Sequence, residues 1–67
     1  MKKDFYVYYP DHKKPEKKYY FNGFLDMPFF GRTPTFTDDK SDATLMTKGE
    51  ARKMASALGK NKLVGQI

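Results

Sequence analysis

The chain has 67 residues, 39% hydrophobic and 31% charged, no cysteine, and a formal charge of +5 from 13 Lys and Arg against 8 Asp and Glu. A chain this short buries only about 60% of its unfolded surface, which excludes a two-domain enzyme, a doubly wound nucleotide fold or a barrel with a deep pocket. Without cysteine there is neither a disulfide staple nor a cysteine-based zinc site, so any core must draw on the Phe and Tyr residues that make up 16% of the chain.

Residues 4–9, Asp4-Phe5-Tyr6-Val7-Tyr8-Tyr9, are mostly aromatic or β-branched and predict a strand that stops at Pro10, which has no N–H to give to a ladder. Pro10 to Glu16 is a polar turn bracketed by two prolines. Lys17 to Asn22 predicts a second strand released at Gly23, and the pair forms an antiparallel hairpin. In residues 25–40, Pro28, Gly31 and Pro34 interrupt any period while Met27, Phe29, Phe30 and Phe36 remain apolar. The expectation is a loop that folds back over one edge of the core. An exposed aromatic patch is the alternative, and Thr33 to Thr37 is a candidate short strand.

Ala43 to Met46 is a short extended candidate leading to Thr47. Thr47 and Glu50 have the spacing of a capping box, in which hydroxyl and carboxylate each satisfy the other residue's N–H. Ala51, Met54, Ala55 and Leu58 recur at i, i+3, i+4 and i+7, an apolar stripe on a helix over Lys48–Leu58. Gly59 stands where a left-handed residue ends helices, and Lys60 and Lys62 suit the negative end of the helix dipole. Residues 62–67 read as a last strand.

The predicted fold class is α+β: a small antiparallel sheet of three or four strands, in β-β-(β)-α-β order, with one helix packed on one face. Residues 1–67 form a single small domain. Core candidates are Phe5, Val7, Phe21, Leu45, Ala51, Met54, Ala55, Leu58 and Val64. No apolar run approaches the roughly 20 residues of a membrane span, and no signal-peptide pattern follows Lys2 and Lys3, so a soluble intracellular domain is expected.

The aromatic N-terminal hairpin (Phe5-Tyr6-Val7-Tyr8, Tyr19-Tyr20-Phe21-Asn22-Gly23), the stretch Asp42-Ala43-Thr44-Leu45-Met46 and the helix start Thr47-Lys48-Gly49-Glu50-Ala51-Arg52-Lys53-Met54 occur together. In this layout the chain resembles the short accessory proteins of phages and prophages of low-GC Gram-positive bacteria. The resemblance implies a β-rich domain in the cytoplasm of a bacterial host that works by binding host or phage components. Some such proteins inhibit host defence, anti-CRISPR proteins among them. No residue roles are carried over.

Catalysis needs a nucleophile, base or metal held in a water-excluding pocket. His12, the one histidine, lies in a Lys-rich loop and reads as solvated. Asp38, Asp39 and Asp42 lack the alternating acids, turn glycine and final bidentate Glu of a calcium loop. The five glycines are isolated, so no phosphate loop is present. The expectation is a binding protein with no enzymatic activity, cofactor or metal.

Strand alternation puts Phe5, Val7 and Tyr9 on one face and Tyr6 and Tyr8 on the other. In the second strand it separates Tyr19, Phe21 and Gly23 from Tyr20, Asn22 and Phe24. The more apolar face is expected to meet the helix. The other is expected to show Tyr6, Tyr8 and Tyr20 to solvent beside Lys3, Lys17 and Lys18, with the Phe29-Phe30 loop as a possible cover. Such a face can bind a protein partner, because Tyr is enriched at hot spots, or stack the bases of a single strand while lysines hold its phosphates. Residues 1–24 carry net charge +3, residues 25–47 carry −2, and residues 48–67 carry +4, so basic ends flank an acidic middle. Arg52 and Lys53, with Lys48, form a basic helix back that would touch phosphate without reading sequence. A protein partner, nucleic acid, or a second copy through an open strand edge are the partners weighed, and no membrane is expected.

Overall fold

The computed structural model describes residues 2–67. Elements run β1 (Phe5–Pro10), β2 (Lys18–Met27), β3 (Gly31–Thr37), a 3-10 turn (Lys40–Asp42), α1 (Lys48–Leu58) and β4 (Leu63–Gln66). The strands form one antiparallel sheet in the order β3-β2-β1-β4, and α1 packs on one face. This is the small α+β arrangement the sequence predicts. No helix among the described residues is long and apolar enough to cross a membrane.

β1 and β2 pair as a hairpin through Tyr8–Tyr20, Tyr9–Tyr19 and Pro10–Lys18. Beyond Tyr20 the two strands part. Asn22 and Gly23 together stand against Thr35, between the Phe21–Phe36 and Phe24–Pro34 pairs. One strand thus holds an extra residue, a bulge, and Gly23 takes φ +119° to make it. The Thr35 hydroxyl lies 2.6 Å from Asn22 Oδ1 and 3.1 Å from the Gly23 carbonyl, holding the distortion. The chain returning to the helix fills the gap. Thr44 N–H donates to the Phe21 carbonyl (2.9 Å), and Phe5 and Met46 exchange bonds of 3.0 and 2.8 Å.

The bulge corrects two expectations. It shifts the strand's alternation, so Phe24 joins Phe21 on the helix side (ring centroids 5.2 Å apart) instead of sharing a face with Tyr20. It also lets β2 continue to Met27, so residues 25–40 are no loop folded over the core. They complete β2, turn at residues 28–30 and return as β3. Pro34 is tolerated because β3 is an edge strand.

The core comprises Val7, Phe21, Met46, Ala51 and Ala55, with Phe5, Phe36, Met54, Leu58 and Val64 packed against it. Ala51 and Ala55 let α1 approach the sheet closely over Val7, which is fully enclosed. Leu45, expected in the core, is 41% exposed. Met46 faces inward instead, because the bonds to Phe5 fix which way that short extended piece points.

The helix has its predicted bounds, and its capping box is formed: Glu50 N–H donates to the Thr47 hydroxyl (3.3 Å) and Thr47 N–H to Glu50 Oε1 (3.0 Å). Gly59 ends it at φ 145°, ψ 173°, an extended glycine conformation rather than the expected left-handed helical one. Lys62 lies over aromatic rings with its Nζ also beside Gly59, where a Cβ on the glycine would stand 3.7 Å from it, at the negative end of the helix.

On the face away from the helix, Tyr6 lies across Gly65 of β4, and a Cβ at Gly65 would stand 2.6 Å from the ring. A Cβ at Gly49, in the first turn of α1, would meet nothing within 4 Å. Gly65→Ala is therefore expected to cost about 1–3 kcal/mol by forcing the buried ring aside. Gly49→Ala should stabilise by up to about 1 kcal/mol through helix propensity. Urea denaturation of both variants checks the pair, and equal midpoints would contradict the ring-on-glycine contact.

Candidate binding surfaces

The open sheet face is organised by a tyrosine triad. Tyr6 lies 5.6 Å from Tyr8 and 5.5 Å from Tyr20, and Tyr8 lies 6.1 Å from Tyr20, all in tilted or edge-on contacts. Lys18 Nζ sits 5.5 Å from the Tyr8 centroid and Lys40 Nζ 5.2 Å from that of Tyr6. Each ammonium meets the negative face of a ring, a contact worth about 0.5–1 kcal/mol at exposed sites. The triad assembles as the alternation predicts, yet Tyr6 is not displayed: it is 8% exposed, whereas Tyr8 and Tyr20 are half-buried.

The three lysines expected here do not stay together. Lys18 joins the triad. Lys17, in the bend before β2, lies 5.6 Å over Tyr19 on the helix side. Lys3 stands near Glu50 at the start of α1. Lys40, from the 3-10 turn, takes a place that sequence spacing gave no reason to assign to it. Phe29 and Phe30 do not cover the tyrosines, being carried away on the β2–β3 hairpin.

On the helix side a second aromatic group joins Tyr9, Tyr19 and Phe36, with Lys62 Nζ 4.6 Å from Tyr9 and 5.7 Å from Phe36. The loop after β1 is tied to it by Asp11. That carboxylate accepts from the N–H groups of Lys13 (2.8 Å) and Lys14 (3.0 Å) and from the Tyr19 hydroxyl (3.0 Å). His12 is exposed in the same loop. Asp39 accepts from the Ser41 N–H and hydroxyl, and among the described residues no group of three or more His, Asp or Glu side chains is placed to hold a metal ion. Lys48, Arg52 and Lys53 are exposed along the helix back, as the sequence predicts.

The β2–β3 hairpin tip is the most apolar exposed feature. Phe29 is 92% exposed and Phe30 81%, with Leu25 and Met27 exposed behind them. Pro28 opens the turn and Gly31 closes it at φ +70°, so the two rings are presented on a short defined turn. At the root of the same hairpin, Phe21, Phe24, Leu45, Met46 and Met54 line an open, mostly apolar cleft of about 340 Å³, with Lys3 and Glu50 on its rim.

Comparison with protein-family models, curated proteins and solved structures finds no match to this chain.

The Lys14 and Lys13 amides, followed by the Tyr19 hydroxyl, hold the Asp11 carboxyl below the ordinary 3.8, and accepting from Tyr19 pushes that phenol above 10.0. A depressed carboxyl stabilises the fold above its unfolded value, and that contribution is lost as pH falls through the folded one. A raised phenol stabilises below its unfolded value and loses this as pH rises through the folded one. The loop anchor should therefore loosen both in acid below the usual carboxylate range and in strong alkali. Carboxyl carbon-13 titration is expected to place the Asp11 midpoint below 3.8, and Asp11→Ala should remove that part of the acid sensitivity.

Proposed function

We propose that the chain is a non-enzymatic binding protein that acts by occluding a macromolecular partner, in the manner of the phage accessory proteins it resembles, and that its principal contact element is the β2–β3 tip. The exposure of Phe29 and Phe30 in the short turn between β2 and β3 carries this reading. Neither ring contributes to the core, and large apolar side chains left in water are unfavourable unless something covers them. Phenyl rings have few rotatable bonds to immobilise on binding, so much of the burial they gain appears as affinity. A protein inhibitor of host machinery, anti-CRISPR proteins included, needs such an anchor and no active site.

Tagged wild-type protein should retain a stoichiometric protein partner from lysates of a suitable host, and the Phe29→Ser/Phe30→Ser variant should lose it. Tyr8→Ala, in β1 and away from the tip, should keep it. Retention of the same partner by the tip variant would remove the tip from this role.

A second reading is favoured by the tyrosine triad with its two ammonium groups, Lys18 and Lys40. Rings flanked by mobile cations can stack the bases of a single strand while the lysines move to phosphates. On this reading oligonucleotide affinity falls with salt, with a log–log slope of about −3 for four or five phosphate contacts. Tyr8→Ala should weaken binding by roughly 1–3 kcal/mol, whereas Lys18→Ala should chiefly flatten the slope. A fluorescent oligonucleotide titrated across a salt series tests it, and absence of binding at low salt would remove nucleic acid as a ligand.

A further inference from the structure

The two outer strands of the sheet differ. β3 carries Pro34, which has no N–H to offer, and the charge of Arg32. β4 carries neither a proline nor a charge. The ladder fixes which of its backbone groups are left over. Ile67 N–H donates to the Asp4 carbonyl (2.9 Å), and the pairs run from Phe5–Gln66 to Tyr8–Leu63. Bonded and non-bonded pairs alternate, so Leu63, Gly65 and Ile67 turn their backbone groups to β1 while Val64 and Gln66 turn theirs outward. Consistently, Phe5 exchanges its own bonds with Met46, on the side away from β4. Leu63 and Ile67, both exposed, share the face of Gly65, Tyr6 and Tyr8.

We propose that two copies of this chain join antiparallel through β4, across a two-fold axis normal to the sheet at Gly65. In that register Val64 of each copy lies opposite Gln66 of the other, and each such pair exchanges both N–H···O bonds. Leu63 of each copy meets Ile67 of the other, an apolar cross-strand pair on the tyrosine face. The Gly65 residues face each other at the axis, where side chains stand closest, and have none to collide. The occupant is a second copy because the edge is its own complement: outward donors, acceptors, apolar ends and empty centre all match under one rotation. The helices leave room for it. α1 lies over Val7 of β1, and two β1 strands so joined are about 14 Å apart, three strand spacings, against a helix diameter of about 10–12 Å. The rotation also brings both tyrosine triads to one continuous face. The contact is smaller than the roughly 1,200 Å² of stable complexes, so the association is weak and concentration-dependent. It uses neither the tip nor the cleft.

The chain has no cysteine, so introduced thiols report the register. Leu63 and the Ile67 opposite it have Cα atoms about 4.5 Å apart, within disulfide reach, whereas the two Leu63 residues are displaced by about 14 Å along the strand. Oxidation of an equimolar mixture of Leu63→Cys and Ile67→Cys should give mostly the mixed disulfide. Sedimentation equilibrium of the wild type should show monomer and dimer in exchange. Gln66→Pro, which removes an outward N–H, should weaken the dimer at least tenfold with unchanged circular dichroism. Leu63→Lys, which leaves the backbone intact, should weaken it as well. Phe29→Ser/Phe30→Ser should leave the dimer unchanged, which separates this contact from the tip of the preceding proposal. A wild type that stays monomeric at the highest attainable concentration overturns the proposal. So do homodisulfides as abundant as the mixed one, or a dimer lost in the tip variant and kept in Gln66→Pro.

Discussion

Between Phe21 and Phe24 the second strand holds one residue more than its neighbour, and the consequences reach most of the molecule. The bulge turns β2 away from β1 after Tyr20, and the opening would leave the backbone groups of Phe5 and Phe21 without partners. Residues 44–46 supply those partners, with Thr44 bonded to Phe21 and Met46 to Phe5. Unpaired backbone groups are costly when buried, so this closure fixes where the chain must pass before α1 begins. It thereby sets the position of the helix over Val7 and the inward direction of Met46. The same bulge moves Phe24 to the helix side and forms the wall of the cleft.

A domain of this size has little core to draw on, and only a few side chains are buried. Much of the remaining packing is aromatic with a cation above it: Lys18 on Tyr8, Lys40 on Tyr6, Lys17 on Tyr19, Lys62 on Tyr9 and Arg32 on Phe24. In each case an apolar stem covers ring surface while the charged head stays wet, which shields aromatics without burying charge. The basic composition therefore has a structural use in addition to any attraction for polyanions. The surface lysines form a cover for two ring clusters, one on each side of the sheet, that a longer chain would cover with another helix.

The helix was legible because its signals are local: cap, stripe and terminating glycine all lie within thirteen consecutive residues. The first hairpin was legible for the same reason, since its two aromatic runs flank one polar loop. The second hairpin was hidden by the bulge, which breaks strand period where Gly23 invites a stop, and by Pro34, which is acceptable only on an edge. Edge position is a property of the assembled sheet and cannot be read within β3. Leu45 and Met46 are equally apolar in a short extended stretch, and the bonds to Phe5, forty residues away, decide which faces inward. The tyrosine triad followed from alternation. Lys40 could not be placed on it, because a turn far along the chain delivers that ammonium, and Lys3 and Lys17 were misplaced by equating nearness in sequence with a shared face.

The tip stands apart from all of this. Turn chemistry alone shapes it, through Pro28 and Gly31, and the rings of Phe29 and Phe30 take no part in the core, the bulge or either ring cluster. Surface apolar groups on a strand end invite unwanted pairing, and this sheet blunts its outer strand there with Pro34 and Arg32 rather than removing the phenylalanines. A small domain whose stability does not depend on its most exposed apolar residues can vary them freely. The core therefore draws on the root of this hairpin, through Phe21 and Phe36, and not on its tip.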